Sequence, residues 1–368
     1  MTARPRARDL GIVVGTMTPG PANAITDVAG VRVGHETIVR DEPDGRAVRT
    51  GVTVIVPRDE PWRRPLFAAP FRLNGNGEMT GLEWIRESGA LTSLIAITNT
   101  HSVGVVRDAL VADEAGRRAP GEQFFALPVV AETWDGALND INGFHVRPEH
   151  VHAAIAAASD GPVAEGAVGG GTGMICHGFK GGIGTSSRRV PEVAGGYTVG
   201  VLVQANHGER ERLTVNGAPV GRMLAERAPA AEMPEGVRDS DGSIIVVVAT
   251  DAPLLPTQCA RLARRAALGI GRTGGAGENG SGDLVLCFST ANDLPGGFER
   301  GGPLTSRVEV LSNEYIDPLF HATIEATEEA ILGALLAAET MTGAGGRTVL
   351  ALPHDALLEC LRDAGRAG

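Results

Sequence analysis

Six consecutive residues, Ile244-Ile245-Val246-Val247-Val248-Ala249, are apolar and mostly β-branched. A turn-forming polar run, Arg238-Asp239-Ser240-Asp241-Gly242-Ser243, stops directly before them. Such a run bounded by turn residues reads as a strand buried on both faces. It puts a hydroxyl, that of Ser243, on the first residue of a core strand. The residue behind it is glycine, which tolerates a strained peptide. Upstream, Pro229, Pro234 and Gly236 mark a loop.

The local residues leave two readings of that junction open. One is a loop-to-strand boundary carrying a solvated serine. The other is a self-cleaved Gly242–Ser243 bond that turns Ser243 into a new amino terminus. In the second, the serine oxygen attacks its own preceding carbonyl and water opens the resulting ester. The freed α-amine has an ordinary pKa of about 7.7–8.0, so it is a base near neutral pH. An amine paired with its own hydroxyl is a recognised way to activate a weak nucleophile.

A chain of 368 residues can bury a large core, in one big domain or two tightly joined halves. Hydrophobic residues at 43% and charged residues at 21% are ordinary for a soluble globular protein. The net charge is −11 with no sustained basic patch, which disfavours nucleic acid and anionic membrane as partners. Cys176, Cys259, Cys287 and Cys360 lie far apart without a C-x-x-C pair, so neither a zinc ribbon nor a disulfide framework is expected. The basic start, Met1 to Arg8, has no apolar segment behind it, and no run of about 18 apolar residues follows. A cytoplasmic protein is the expectation.

Along the chain, strands are predicted at Val52–Val56, Leu94–Ile97 and Leu127–Val130, and a helix from Val103 to Glu114. Thr80 is expected to cap a helix, with Glu83 completing a capping box. The cluster Ala131-Glu132-Thr133-Trp134-Asp135-Gly136 follows a strand and reads equally as a site rim or a surface loop. Gly169–Thr185 is rich in glycine yet has no Gly-Lys-Ser/Thr at P-loop spacing; backbone there is expected to pass close to a core strand or site wall. Gly196–Gln204 reads as a strand, with Arg212–Val215 and Asn216-Gly217 as its hairpin partner. After the Ser243 strand, Thr257 is expected to cap a helix over Gln258–Leu268. A polar loop then feeds a strand at Leu284–Ser289. A long helix from Pro318 to Thr340 is expected with Asp317 as N-cap, and a short one around Leu357–Leu361. The recurring strand–loop–helix order points to a layered α/β protein.

Six segments, taken in order, resemble the DmpA-type self-processing aminopeptidases, the L-aminopeptidase/D-amidase-esterases and β-aminopeptidases. They are Asn74–Gly81, Thr98–Asp108, Glu132–Asn139, Gly169–Thr185, Asp241–Pro253 and Gly280–Asn292. The resemblance implies a four-layer αββα sandwich, N-terminal-nucleophile-hydrolase-like but of different topology. It implies one domain over 1–368, cut between Gly242 and Ser243 into an α chain of 1–242 and a β chain of 243–368. Homo-oligomers of αβ units are implied as well. Ser243 then stands as the nucleophile and Asn206 as an oxyanion donor. Ser281 and Asp283 form a serine-x-acid pair beside the nucleophile and its amine. Many relatives have Glu where Asp283 stands. Glu132 receives the substrate's free amino group, and Trp134 lines the pocket.

The expected activity is removal of an N-terminal residue from small peptides, amides or esters through an acyl-Ser243 intermediate. No metal and no organic cofactor are expected. An acyltransferase of the ornithine acetyltransferase kind is the competing enzyme, and a glycine-rich anion-binding protein the non-enzymatic one. No G-x-S-x-G elbow and no H-E-x-x-H occurs, and His150 and His152 sit on a polar stretch that suits solvated histidines.

Overall fold

The structure is a computed structural model and describes residues 4–225, 242–294 and 303–366. The expected loop at Pro229, Pro234 and Gly236, and the run Arg238–Asp241, lie outside the described residues. In chain order the strands of interest are β1 (Arg32–Asp41), β2 (Ala47–Val56), β3 (Leu66–Gly75), β4 (Ala90–Leu91), β5 (Ile95–Asn99) and β6 (Val129–Thr133). They continue with β7 (Ile175–Cys176), β8 (Phe179–Lys180), β9 (Gly182–Arg189), β10 (Thr198–Asn206), β11 (Ser243–Thr250) and β12 (Gly282–Ser289). The helices are α1 (Leu82–Ser88), α2 (Val103–Arg117), α3 (Pro148–Ala156), α4 (Val220–Leu224), α5 (Pro256–Thr273), α6 (Asp317–Ala337) and α7 (His354–Asp363).

One sheet has the order β1-β2-β5-β6 and the other β4-β3-β12-β11-β10-β9. The two face each other across a core of Ile55, Ile95 and Ile97 from the first and Leu202, Ile245, Val247 and Leu286 from the second. Behind the first sheet lie α2 and α3, packed on Val54, Ala96 and Val130. Behind the second lie α5 and α6, packed on Val203, Val246, Val248 and Val285. The result is the expected αββα stack. The alternation in β11 is what makes it possible: odd-numbered residues meet the partner sheet and even-numbered ones meet the helices. Every residue of β11 is buried, as an unbroken apolar run requires.

Several local expectations need correcting. Gly81, not Thr80, precedes α1, at φ 75°, and no side chain caps that helix. The Thr80 hydroxyl instead donates to the Pro128 carbonyl at 2.7 Å and accepts from the Val130 N–H at 2.9 Å, splicing the helix entry to β6. Likewise α5 starts at Pro256, a residue before the expected cap Thr257, because proline's fixed φ already suits a first helical turn. Asp317 is inside α6 rather than its cap. Arg212–Val215 is no strand partner of β10, whose two edges are filled by β9 and β11. The Asn216-Gly217 turn does form, with φ of 52° and 76°, but it closes only a Val215–Ala218 bridge.

Candidate active site

Ser243 opens β11 at the end of the inter-sheet core and is buried. A solvated serine is therefore the wrong reading of this junction. The antiparallel register sets Ser243 directly opposite Asn206, the last residue of β10. On the other side β12 runs parallel, and its Gly282 N–H donates to Ser243 Oγ at 3.0 Å. Gly242 lies flush on β10: a Cβ there would sit 1.9 Å from the Asn206 carbonyl oxygen, so no larger residue fits.

The Asn206 amide is held from both ends. Its Oδ1 accepts from the Ile175 N–H at 2.8 Å and its Nδ2 donates to the Trp134 carbonyl at 3.0 Å. A main-chain N–H has only a proton to offer, so the oxygen must face Ile175. Trp134 itself is half-buried.

Ser281 and Asp283 flank Gly282, and the Ser281 hydroxyl donates to Asp283 Oδ1 at 2.6 Å. The other oxygen, Oδ2, is buried with no hydrogen-bond partner among the described residues. Burial pushes the Asp283 carboxyl up to about 6; the hydrogen bond from Ser281 pulls against this and nearby Glu278 adds to it.

Glu132 ends up inside β6 rather than after it, and is buried. Its Oε1 accepts from the Glu78 N–H at 2.8 Å, and its Oε2 accepts from the Thr100 hydroxyl. Burial raises its pKa against those two hydrogen bonds. The turn at Gly77 links it to the nucleophile's neighbour. A Cβ on Gly77 would lie 3.0 Å from Gly282 Cα and 3.3 Å from Glu132 Oε1. The Asn76 N–H donates to the Ser281 carbonyl at 3.1 Å, so the two glycine-rich loops brace each other. All the residues singled out by sequence for this site therefore converge on one end of the sandwich.

Residues 23–349 match the description "Peptidase family S58". The chain belongs to peptidase family S58. This S58 chain is 52% identical over 370 residues to the β-peptidyl aminopeptidase BapA of Sphingosinicella microcystinivorans, covering 97% of itself and 92% of that protein. Among solved structures it is similar to a Burkholderia sp. β-aminopeptidase, with a TM-score of 0.92 and 54% identity over 98% of this chain and 99% of the other. It also resembles the L-aminopeptidase D-Ala-esterase/amidase of Ochrobactrum anthropi, described as a prototype for the serine aminopeptidases and a new variant of the Ntn hydrolase fold. There the TM-score is 0.90, with 45% identity over 99% of this chain and 100% of that one. The S58 chain is thus a peptidase with an Ntn-hydrolase-type fold. None of these proteins is described as an acyltransferase.

Sequence reasoning missed a lysine behind the site. Lys180 is fully buried, and its ammonium donates to the carbonyls of Met174 and Gly181 at 2.8 Å and of Gly171 at 3.4 Å. Burial lowers its pKa to about 7, against the opposing pull of Cys176 and Asp135. The only signal in the sequence was one cation inside the glycine-rich stretch Gly169–Thr185. Also missed was a buried group of Cys176, His177 and His207, whose ligand-type atoms lie within 4.8 Å of one another. They are the described residues best arranged to hold a soft cation. His150 and His152, on α3, take no part in it.

Proposed function

We propose that this S58 peptidase is an autoprocessed N-terminal-serine aminopeptidase, cut between Gly242 and Ser243 into chains 1–242 and 243–368 that remain one domain. The observation that carries this reading is the position of Ser243 Oγ, at the head of a central strand, bonded to the Gly282 N–H and opposite Asn206. Processing moves the Gly242 acyl group from nitrogen to Ser243 Oγ, and water releases it as a carboxylate.

In turnover Ser243 Oγ attacks the scissile carbonyl while the Ser243 amine takes its proton. The second N–H of the Asn206 amide, unused by Trp134, serves the oxyanion; such a donor is typically worth roughly 10²–10³ in rate. The proton then passes to the leaving amine, and water repeats the sequence on the ester. Ser281 and Asp283 orient the Ser243 amine, and Asp283 Oδ2 is the atom without a protein partner. Glu132 receives the substrate ammonium as a charge-assisted pair, and Trp134 lines the pocket. Substrates are small peptides, amides or esters with a free amino group, in keeping with the names of the relatives. The peptidase relatives favour transfer of the acyl group to water over transfer to another amine. No metal and no organic cofactor enters the scheme. We further infer a cytoplasmic homo-oligomer of αβ units. Four buried cysteines far apart in the chain suit a reducing compartment, and no helix among the described residues is long and apolar enough to cross a membrane.

Wild-type protein is expected to give two bands on a denaturing gel and to hydrolyse an alanine nitroanilide. Ser243→Ala is expected to give one inactive chain. A Ser243→Ala protein that is still cut and still hydrolyses removes Ser243 from the mechanism.

A further inference from the structure

A pocket of about 420 Å³ opens beside the turn at Gly75–Gly77, with Arg72, Met79, Leu82, Trp84, Leu127 and Leu284 on its walls. Its size is that of a small-ligand site, and its walls divide about evenly between polar and apolar surface. It lies on the substrate's side of the sheet. Leu284 belongs to the inter-sheet core, as do Ile245 and Val247, which share a face of β11 with Ser243. Arg72 is the register partner of Leu284 across β3 and β12, so it projects from the same face. Its neighbour Phe71 packs the opposite way, on the core beneath the helices.

Arg72 is exposed and has neither an ion pair nor a side-chain hydrogen bond among the described residues. Arg86, on the same pocket wall, is instead neutralised by Glu83. The Arg72 stem lies along the turn: a Cβ on Gly75 would sit 3.0 Å from its Cδ and 3.7 Å from its Nε. Gly77 borders this pocket and also lies against both Glu132 and Gly282.

We propose that this pocket is the subsite for the leaving residue and that Arg72 binds its terminal carboxylate, which makes the enzyme selective for short peptides with a free carboxyl end. The inference rests on the aminopeptidase reading above. The proposed pose puts the substrate ammonium at Glu132, its scissile carbonyl at Ser243 and its terminal carboxylate at Arg72. A guanidinium accepts a carboxylate through two parallel N–H donors. Met79, Leu82, Leu127 and Leu284 suit the aliphatic part of the leaving residue.

The test compares mature wild-type protein with Arg72→Gln and Arg72→Lys on four substrates. These are alanyl-alanine, its C-terminal amide, alanine nitroanilide, and an aspartyl-alanine amide whose only carboxylate is on the residue removed. Arg72→Gln is expected to lower kcat/KM on the free dipeptide roughly 10- to 100-fold, mainly through KM. The amide and the nitroanilide should change less than about twofold, as befits substrates without the charge. Arg72→Lys should recover part of the loss, and added salt should weaken the preference. Equal effects on free dipeptide and amide, or none on either, overturn the proposal. So does an effect confined to the aspartyl substrate, which would place the carboxylate on the acyl side. A wild-type enzyme that leaves both the α-alanine and the β-alanine nitroanilide intact overturns the aminopeptidase reading itself, and this subsite with it.

Discussion

Asp283 is a carboxylic acid in surroundings that favour its neutral form, with its pKa raised to about 6 by burial. An unfolded aspartate titrates near about 3.9. The fold therefore binds the extra proton between those values, and the charged form costs stability as pH rises from about 4 to about 6. Asp283→Asn should flatten that part of the stability–pH curve, measured by urea unfolding of the uncut Ser243→Ala background. Catalysis has the opposite sign. If Asp283 and the Ser243 amine must both lose a proton, log kcat/KM falls with a slope nearing two below about pH 6. In Asp283→Asn the slope should stay near one, with the remaining limb set by the amine. A slope of two in the variant would take Asp283 out of the proton inventory.

The elements around Asn206 form a chain of support. Lys180 on β8 gathers the carbonyls of the preceding loop, and that loop presents the Ile175 N–H to the Asn206 amide. Lys180→Met takes one donor from each of three carbonyls, but those of Met174 and Gly171 keep a main-chain donor, the N–H of Gly181 at 2.9 Å and of Met174 at 3.3 Å. The cost is therefore that of lost hydrogen bonds, roughly 1 kcal/mol each. A loss of fold stability is expected, together with a fall in kcat at unchanged KM. If Lys180 acts through Asn206, the double variant with Asn206→Ala should be no slower than Asn206→Ala alone; additive losses would make Lys180 a structural residue only. Little of this was legible in the sequence. The strands and long helices announce themselves through apolar runs and periods, and β2, β5, β11, β12 and α2 stand close to where those patterns put them. The helix entries were misread at Thr80 and Thr257. Local propensity speaks for a cap there, whereas a tertiary bond to Pro128 and a proline one residue earlier decide the outcome. A buried lysine has no periodic signature at all. The residues of the site itself were found through motif resemblance, not through spacing.

Across the whole molecule, Arg188 is a fastening point. It is fully buried on β9, 3.1 Å from the Glu325 carboxylate and 2.6 Å from that of Glu329, both on α6, and it donates to the Val14 carbonyl at 2.8 Å. It joins the second sheet, its outer helix and the N-terminal segment. Arg188→Met should destabilise the fold by about 3–5 kcal/mol, because the buried Glu325 carboxylate loses its cation and Glu329 is left with Arg8 as its cation, at 3.2 Å. Adding Glu325→Gln and Glu329→Gln should restore part of it, read as the urea midpoint. The layer order was legible from strand–loop–helix alternation, but which sheet edge each strand takes was not. The mistaken hairpin after β10 shows why: adjacency in sequence suggested a partner, while β11 takes that edge from much further along the chain. That same strand is zipped to β10 on one side and β12 on the other, with helices above and the first sheet below. Opening the backbone at its head removes one covalent link and not a single rung of either ladder. The piece from Ser243 onward would hold only two of the six strands of its sheet, so the products of the proposed cut would be expected to travel as one particle and to part only in denaturant.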